Sequence, residues 1–195
     1  MTTTIALQPV EVEIQGLPPG MLMASKRIMD ANLAEGGTGK KKKVRRPEEE
    51  AELHAYWTME DRKKVLGLPW NNLYRCICDG AGQFKYKGQK TMSTIIAATI
   101  TCETEVISLG TKDYEVYQEW CRIPPRTGSV VKVARPRVKK WSAQFTVLVD
   151  DELYEASILE EIINHAGRNI GVGPWRPALK GPYGKFFVSK FEVAK

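Results

Sequence analysis

Asn169–Phe186 brings together the residue types that hold a phosphate chain. Gly171, Gly173, Gly181 and Gly184 alternate with Pro174, Pro177 and Pro182, while Arg176, Lys180 and Lys185 supply positive charge. Glycine admits close backbone approach, proline stiffens φ and removes donors, and a shaped cationic loop can cradle an anionic backbone. Trp175 and Tyr183 offer faces on which bases stack at about 1–3 kcal/mol each, or else they pack the loop onto its own domain. An ordinary connecting turn uses similar residues, so the elements flanking the stretch decide between binding and connection.

The remaining cations are grouped. The chain carries a net charge of +6 with a pI of about 9.1. Lys40, Lys41, Lys42, Lys43, Arg45 and Arg46 form one block, and Arg135, Arg137, Lys139 and Lys140, with Arg122, Arg126 and Lys132 before them, form another. Basic surfaces grouped in this way attract polyanions. The block at 40–46 has three readings: contact with nucleic acid, a nuclear import signal, or a solvated run. The expected phosphate-neutralising set is Lys40, Lys41, Lys42, Lys43, Arg45 and Arg46, then Arg135, Arg137, Lys139 and Lys140, together with Arg176, Lys180 and Lys185.

Catalytic and metal chemistry find little support. General acid–base cleavage of RNA needs two tuned groups near the 2′-hydroxyl and the leaving oxygen. The chain has only His54 and His165. His165 falls near the end of a helical segment, a structural position, which leaves His54, beside Tyr56, as the one catalytic candidate. Cys76, Cys78, Cys102 and Cys121 lack zinc-ligand spacing and read as reduced, mostly buried residues. Asp150-Asp151-Glu152 reads as a strand end. No phosphate-binding Walker loop, His-Glu-x-x-His or nucleophile elbow occurs, and Gly171-Val172-Gly173 stands in the wrong context for a dinucleotide fold. No metal and no cofactor are expected. No run is long and apolar enough for a membrane helix, and Met1–Leu7 lacks a signal-peptide pattern, so a cytoplasmic protein is expected.

The positioning elements follow from periodicity. Val10–Ile14 alternates apolar with acidic residues, a half-buried strand. Residues 24–52 lose their apolar period and predict a mobile insertion. Pro69 opens a helix carrying Leu73, Ile77, Gly80/Ala81 and Phe84 on one face. Residues 94–109, rich in Ile, Val and Thr, predict strand. A second insertion covers about 110–128. Ser129–Val138 and Trp141–Val149 read as a hairpin turning at Lys139-Lys140, with Val131, Val133, Arg135 and Arg137 on one face. Ser157 and Glu160 form a capping-box pattern ahead of the stripe Ile158, Leu159, Ile162, Ile163 and Ala166, with Gly167 as terminator. Phe186–Val193 is the last strand.

This order predicts a single α+β domain over 1–195, a ferredoxin-like (RRM-like) βαββαβ antiparallel sheet with both helices on one face and loop insertions. Its open face is left for insertions or a ligand, and RNA-recognition modules stack bases on aromatics there. Ile170-Gly171-Val172-Gly173, the spacer with Arg176 and Lys180, and Gly181-Pro182-Tyr183-Gly184-Lys185-Phe186 together resemble the glycine-rich loop of the RAMP superfamily, the RNA-binding proteins of CRISPR effector complexes. Leu68–Arg75 resembles the Pro-led first helix of that superfamily. The chain looks like a stand-alone or phage-borne relative. The resemblance implies single-stranded RNA or DNA held by its backbone without catalysis, with subunits repeated as a homo-oligomer or filament. A place in a CRISPR or other host defence complex also follows from it. Two alternatives remain open: a phage anti-defence protein acting on a host immune complex or nucleotide signal, and a RAMP-type endoribonuclease centred on His54.

Overall fold

The computed structural model describes residues 7–34, 45–88, 90–123, 128–150 and 154–193. The chain is a mixed α+β protein whose described residues form five α-helices and ten strands in three antiparallel sheets. In order these are β1 (Gln8–Gly16), β2 (Met21–Leu22), α1 (Arg27–Ala34), α2 (Pro47–His54), β3 (Trp57–Glu60), β4 (Lys63–Pro69) and α3 (Trp70–Ala81). There follow α4 (Met92–Thr99), β5 (Ile100–Thr101), β6 (Val106–Ser108), β7 (Glu115–Ile123), β8 (Ser129–Val138), β9 (Ser142–Val149), α5 (Ala156–Asn169) and β10 (Phe186–Val193). No helix among the described residues is long and apolar enough to cross a membrane.

The central sheet has the order β10-β1-β9-β5, antiparallel at every step. The alternation along β1 puts Val10, Val12 and Ile14 on the buried face, level with Phe145 and Ala143 of β9. That face lies under α3 and α5: Trp70 of α3 meets Phe145 with ring centroids 6.0 Å apart, and Leu159, Ile162 and Ile163 of α5 join the same core. The opposite face carries Glu11, Glu13, Gln15, Gln144, Thr146 and Glu192, with Lys190 ion-paired to Glu11 and Glu192 at 3.4 and 3.0 Å. It is acidic, and half-buried Phe187 opposite Gln15 is its one aromatic among the described residues of β1, β9 and β10. The expected stack of bases on sheet aromatics has no platform there.

The two long helices touch through Gly80. A Cβ at Gly80 would stand 2.5 Å from Ala166 Cβ and 2.8 Å from Ala166 Cα, so the glycine allows α3 to approach α5. Gly167 lies inside α5; the left-handed residue that ends the helix is Gly171, at φ +70°, and its amide donates to Ala166 O at 2.9 Å. The capping box does not form. Glu155 is the N-cap and no side chain caps the helix.

Three further expectations are corrected. Of the segment 94–109, residues 94–99 are helix: Met92, Ile96 and Thr99 fall on one helical face and are buried, while Ser93 Oγ donates to Cys78 O and Tyr74 Oη to Ala97 O, both at 2.7 Å. Packing on α3 overrides the strand preference of the β-branched residues. The segment at 24–52 contributes α1 and α2, and its basic tract 40–44 lies outside the described residues. The segment at 110–128 contains β7, paired with β8 along nine positions from Glu115↔Arg137 to Ile123↔Ser129. β8 therefore forms its hairpin with β7 and takes β2 on its other edge. After Lys139-Lys140 the chain passes to the central sheet, anchored by buried Trp141 against Phe186 at 6.1 Å.

Because the α3–α5 crossing leaves no room for a side chain at residue 80, Gly80→Val should destabilise the fold by about 1–3 kcal/mol, the usual cost of overpacking. Urea unfolding measures this; an unchanged midpoint would contradict the close crossing.

Candidate functional site

The loop between α5 and β10 is knit to itself and to the turn after β1. Val172 N donates to Gly184 O at 2.9 Å, Tyr183 N to Trp175 O at 3.0 Å, and Gly184 N to Gly20 O at 2.8 Å. The four expected glycines all face protein: Cβ atoms at Gly171, Gly173, Gly181 and Gly184 would strike Pro177, Leu22 O, Trp175 O and Val172 O. Gly173 decides the position of the whole loop. Its φ is +78° and its missing Cβ would lie 2.3 Å from Leu22 O, so the loop and the β2 segment share one wall. These glycines shape the loop before they could serve any ligand.

This closure creates a cleft of about 350 Å³ between three walls. Residues 21–26 form one, the loop from Gly171 to Arg176 the second, and one face of α3 the third. The α3 face is Asn72, Arg75, Cys76 and Asp79, spaced i, i+3, i+4, i+7 and therefore in a row. Burial pushes the Cys76 thiol up to about 12, so it lines the cleft as an inert neutral group. Lys26, Arg75 and Arg176 bring three cations to the cleft against one carboxylate, Asp79. None of the four belongs to an ion pair among the described residues. Arg176 spends one Nη1 bond of 3.2 Å on Gly173 O. Trp175, between the lining residues Pro174 and Arg176 in sequence but not itself lining the cleft, is 43% exposed and has a left-handed φ of +52° that a bulky residue adopts only when its surroundings impose it.

Other expected site residues are already engaged. Arg135 is paired with Glu119 at 2.9 Å in a largely buried bridge. Arg137 and Lys139 reach Glu115 at 2.5 and 2.6 Å and hold its carboxyl below the ordinary value. Arg137 also lies over the Tyr117 ring. Glu115 and Glu119 of β7 thus engage Arg135, Arg137 and Lys139, while Arg122, Lys132 and Lys140 are exposed and in no ion pair among the described residues. Tyr183 is buried with its ring 5.6 Å from that of Tyr117, which corrects its assignment as a stacking face. Lys180 is exposed beyond the short 3-10 turn Pro177–Leu179, and Lys185 is half-buried. Arg46 is exposed and paired with Glu49 at 2.7 Å; Arg45 is half-buried beside it. Lys40, Lys41, Lys42 and Lys43 lie outside the described residues. An exposed aromatic absent from the expected set is Trp120, 67% exposed on β7 opposite Lys132.

His54 is 7% exposed, in the last turn of α2, and it does not line the cleft. Burial first, and the Arg135 charge second, lower its pKa to about 4. Its Nδ1 has no hydrogen-bond partner. A neutral, enclosed imidazole of this kind does not meet the geometric requirement for a general base in the cleft. His165 packs edge-on against Phe84 at 5.5 Å. No group of three or more His, Cys, Asp or Glu among the described residues could hold a metal ion, and the four cysteines are free.

Lys26, Asn72, Arg75 and Asp79 are the cleft residues that sequence reasoning missed. The i, i+3, i+7 row on α3 was visible, opposite the apolar stripe, but a polar helix face is solvated unless something closes over it. No family model matches the chain, and no curated protein matches it.

His54 generates a pH prediction. Its folded pKa lies below its unfolded value, so the unfolded state takes up a proton first. Stability contributed by the neutral ring is present above about pH 6.5 and is lost as pH falls towards about 4. His54→Gln should flatten this part of the stability–pH curve, removing a dependence of about 1–3 kcal/mol. Thermal or urea unfolding between pH 7 and 4.5 checks it; parallel curves for variant and parent would exclude His54 as the titrating group.

Proposed function

We propose that this chain is a non-catalytic protein that holds single-stranded nucleic acid by its sugar-phosphate backbone, in the cleft between the β2 segment, α3 and the glycine-rich loop. The observation that carries this reading is the convergence of Lys26, Arg75 and Arg176, none in an ion pair among the described residues, in a cleft of about 350 Å³. Cations with no carboxylate partner have their charge available for phosphate, whereas Arg135 and Arg137 would first have to leave Glu119 and Glu115. Trp175, exposed between the lining residues Pro174 and Arg176 in sequence, is the loop's candidate for stacking one base.

The wider architecture supports the same reading. The sheet order β10-β1-β9-β5, with α3 after β1 and α5 before β10, is what a βαββαβ ferredoxin-like core requires. We read β2, the β3–β4 hairpin, β6 and the β7–β8 hairpin as insertions into it. On this reading the loop and the Pro-led α3 stand where the RAMP resemblance expects its RNA-holding elements. The acidic outer face of the sheet, with Glu11, Glu13 and Glu192, is complementary to the cationic cleft of a second copy, which favours subunits repeated along one strand.

Fluorescence anisotropy with labelled oligo-U and oligo-dT tests the proposal. Three cleft cations predict a log–log salt slope of about −2, at about 0.7 per phosphate neutralised on a single strand. Arg75→Ala should weaken binding to every sequence and reduce the slope by about 0.7. Absent binding, or binding insensitive to salt, would sink the reading; sedimentation with oligomers of increasing length reports whether subunits add in steps.

A further inference from the structure

The cleft contains one residue that a pure phosphate site does not need. Asp79 sits one turn beyond Arg75 on the same face of α3, yet it makes no ion pair among the described residues. A carboxylate facing an anion-binding cleft repels phosphate. It is compatible with a nucleic acid only where the ligand presents hydrogen-bond donors to it. Asn72, two turns earlier in the row, has an amide that both donates and accepts.

We propose that the cleft reads one base as well as holding its phosphate, with Asp79 as the specificity-determining residue and guanine as the base it selects. This rests on the backbone-binding reading above. A volume of about 350 Å³ lies within the range of small-ligand pockets and suits one nucleotide unit. The cations Lys26, Arg75 and Arg176 take the phosphate, and the apolar side chains Leu22, Met23, Leu68, Val172 and Pro174 give the base a wall. The choice of base follows from donor patterns. Guanine presents N1–H and N2–H side by side, a match for the two oxygens of a carboxylate. Adenine and cytosine each set one amino donor beside a ring acceptor, which a carboxylate repels. Uracil and thymine flank a single N–H with two carbonyls. Single-stranded nucleic acid leaves this Watson–Crick edge free to be read.

The test uses the full chain and U-rich single strands that differ at one central position: U, A, C, G or inosine. A bidentate contact of this kind discriminates by about 5- to 150-fold, so the G-bearing strand should bind about tenfold or more tighter than the all-U strand. Inosine, which keeps N1–H and lacks the N2 amino group, should fall between them. Asp79→Asn, which preserves size but replaces one acceptor oxygen by a donor, should reduce the preference for G severalfold and raise affinity for the all-U strand, because a negative charge has gone. Circular dichroism confirms that the variant is folded. Equal affinity for all five strands, or a G preference unchanged in Asp79→Asn, overturns the inference and leaves backbone binding intact. A preference for ribose over deoxyribose that disappears in Asp79→Asn, without base preference, also overturns it and assigns the carboxylate to the 2′-hydroxyl. Failure to bind any strand defeats the reading on which the inference rests.

Discussion

Two backbone hydrogen bonds tie the two ends of the glycine-rich loop's environment together: Gly184 N to Gly20 O and Leu17 N to Lys185 O, each 2.8 Å long. They join the turn after β1 to the entry of β10, strands that are already paired along their length. The C-terminal end of the loop is therefore tied to the turn that follows β1. Gly173 then seats the loop against Leu22 O, where no side chain fits. β2 is fixed in turn by pairing with the end of β8. From these few contacts comes a cleft whose walls belong to separate parts of the chain, and its position over α3 is a consequence of sheet pairing.

Charge is distributed by the same geometry. β7 lies beside β8 and places Glu115 and Glu119 opposite Arg137 and Val133, within reach of Arg135 and Lys139. Three cations of a basic block that looks continuous in sequence are thereby paired with two carboxylates in space. A largely buried pair such as Arg135–Glu119 contributes little net stability, but losing one partner would leave an uncompensated charge. These residues belong to the packing of the hairpin on α2, where Glu50 also accepts the Ala134 amide at 3.1 Å. The cations of the cleft escape this neutralisation because their walls carry one acid only, Asp79.

The parts legible in the sequence were those whose periodicity is complete within one segment. Val10–Ile14, the stripe Leu73–Ile77 and the stripe Leu159–Ile163 each bury the face that their spacing predicts. α4 was not legible, because Ile95, Ile96 and Thr99 satisfy strand propensity locally and only the contact with α3 selects the helix. β7 was hidden because Val116, Tyr117, Trp120 and Cys121 put apolar groups on both faces, leaving no clean alternation. With β7 unseen, β8 was given β9 as its partner. The candidate site divides in the same way. The loop announced itself by composition, and Arg176 was read from it. Arg75 and Asp79 were not, because their grouping with Lys26 exists only once a segment some fifty residues away folds over α3.

The outer sheet face and the cleft differ in the charges they carry, and this bears on how a strand would meet them. The outer face of the central sheet carries Glu11, Glu13 and Glu192 against Lys190 alone, so a polyanion is repelled from the surface that RRM-type proteins use. The side of α3 turned away from the sheet offers the cleft. Within a Debye length of roughly 8 Å at physiological salt, a phosphate approaching the sheet sees acid and one approaching the loop sees three cations. On the proposed reading, this difference would steer an incoming strand towards the loop before contact. Affinity would then rest on few charges, and a site with few charges gains most from a base contact that adds discrimination without adding positive charge.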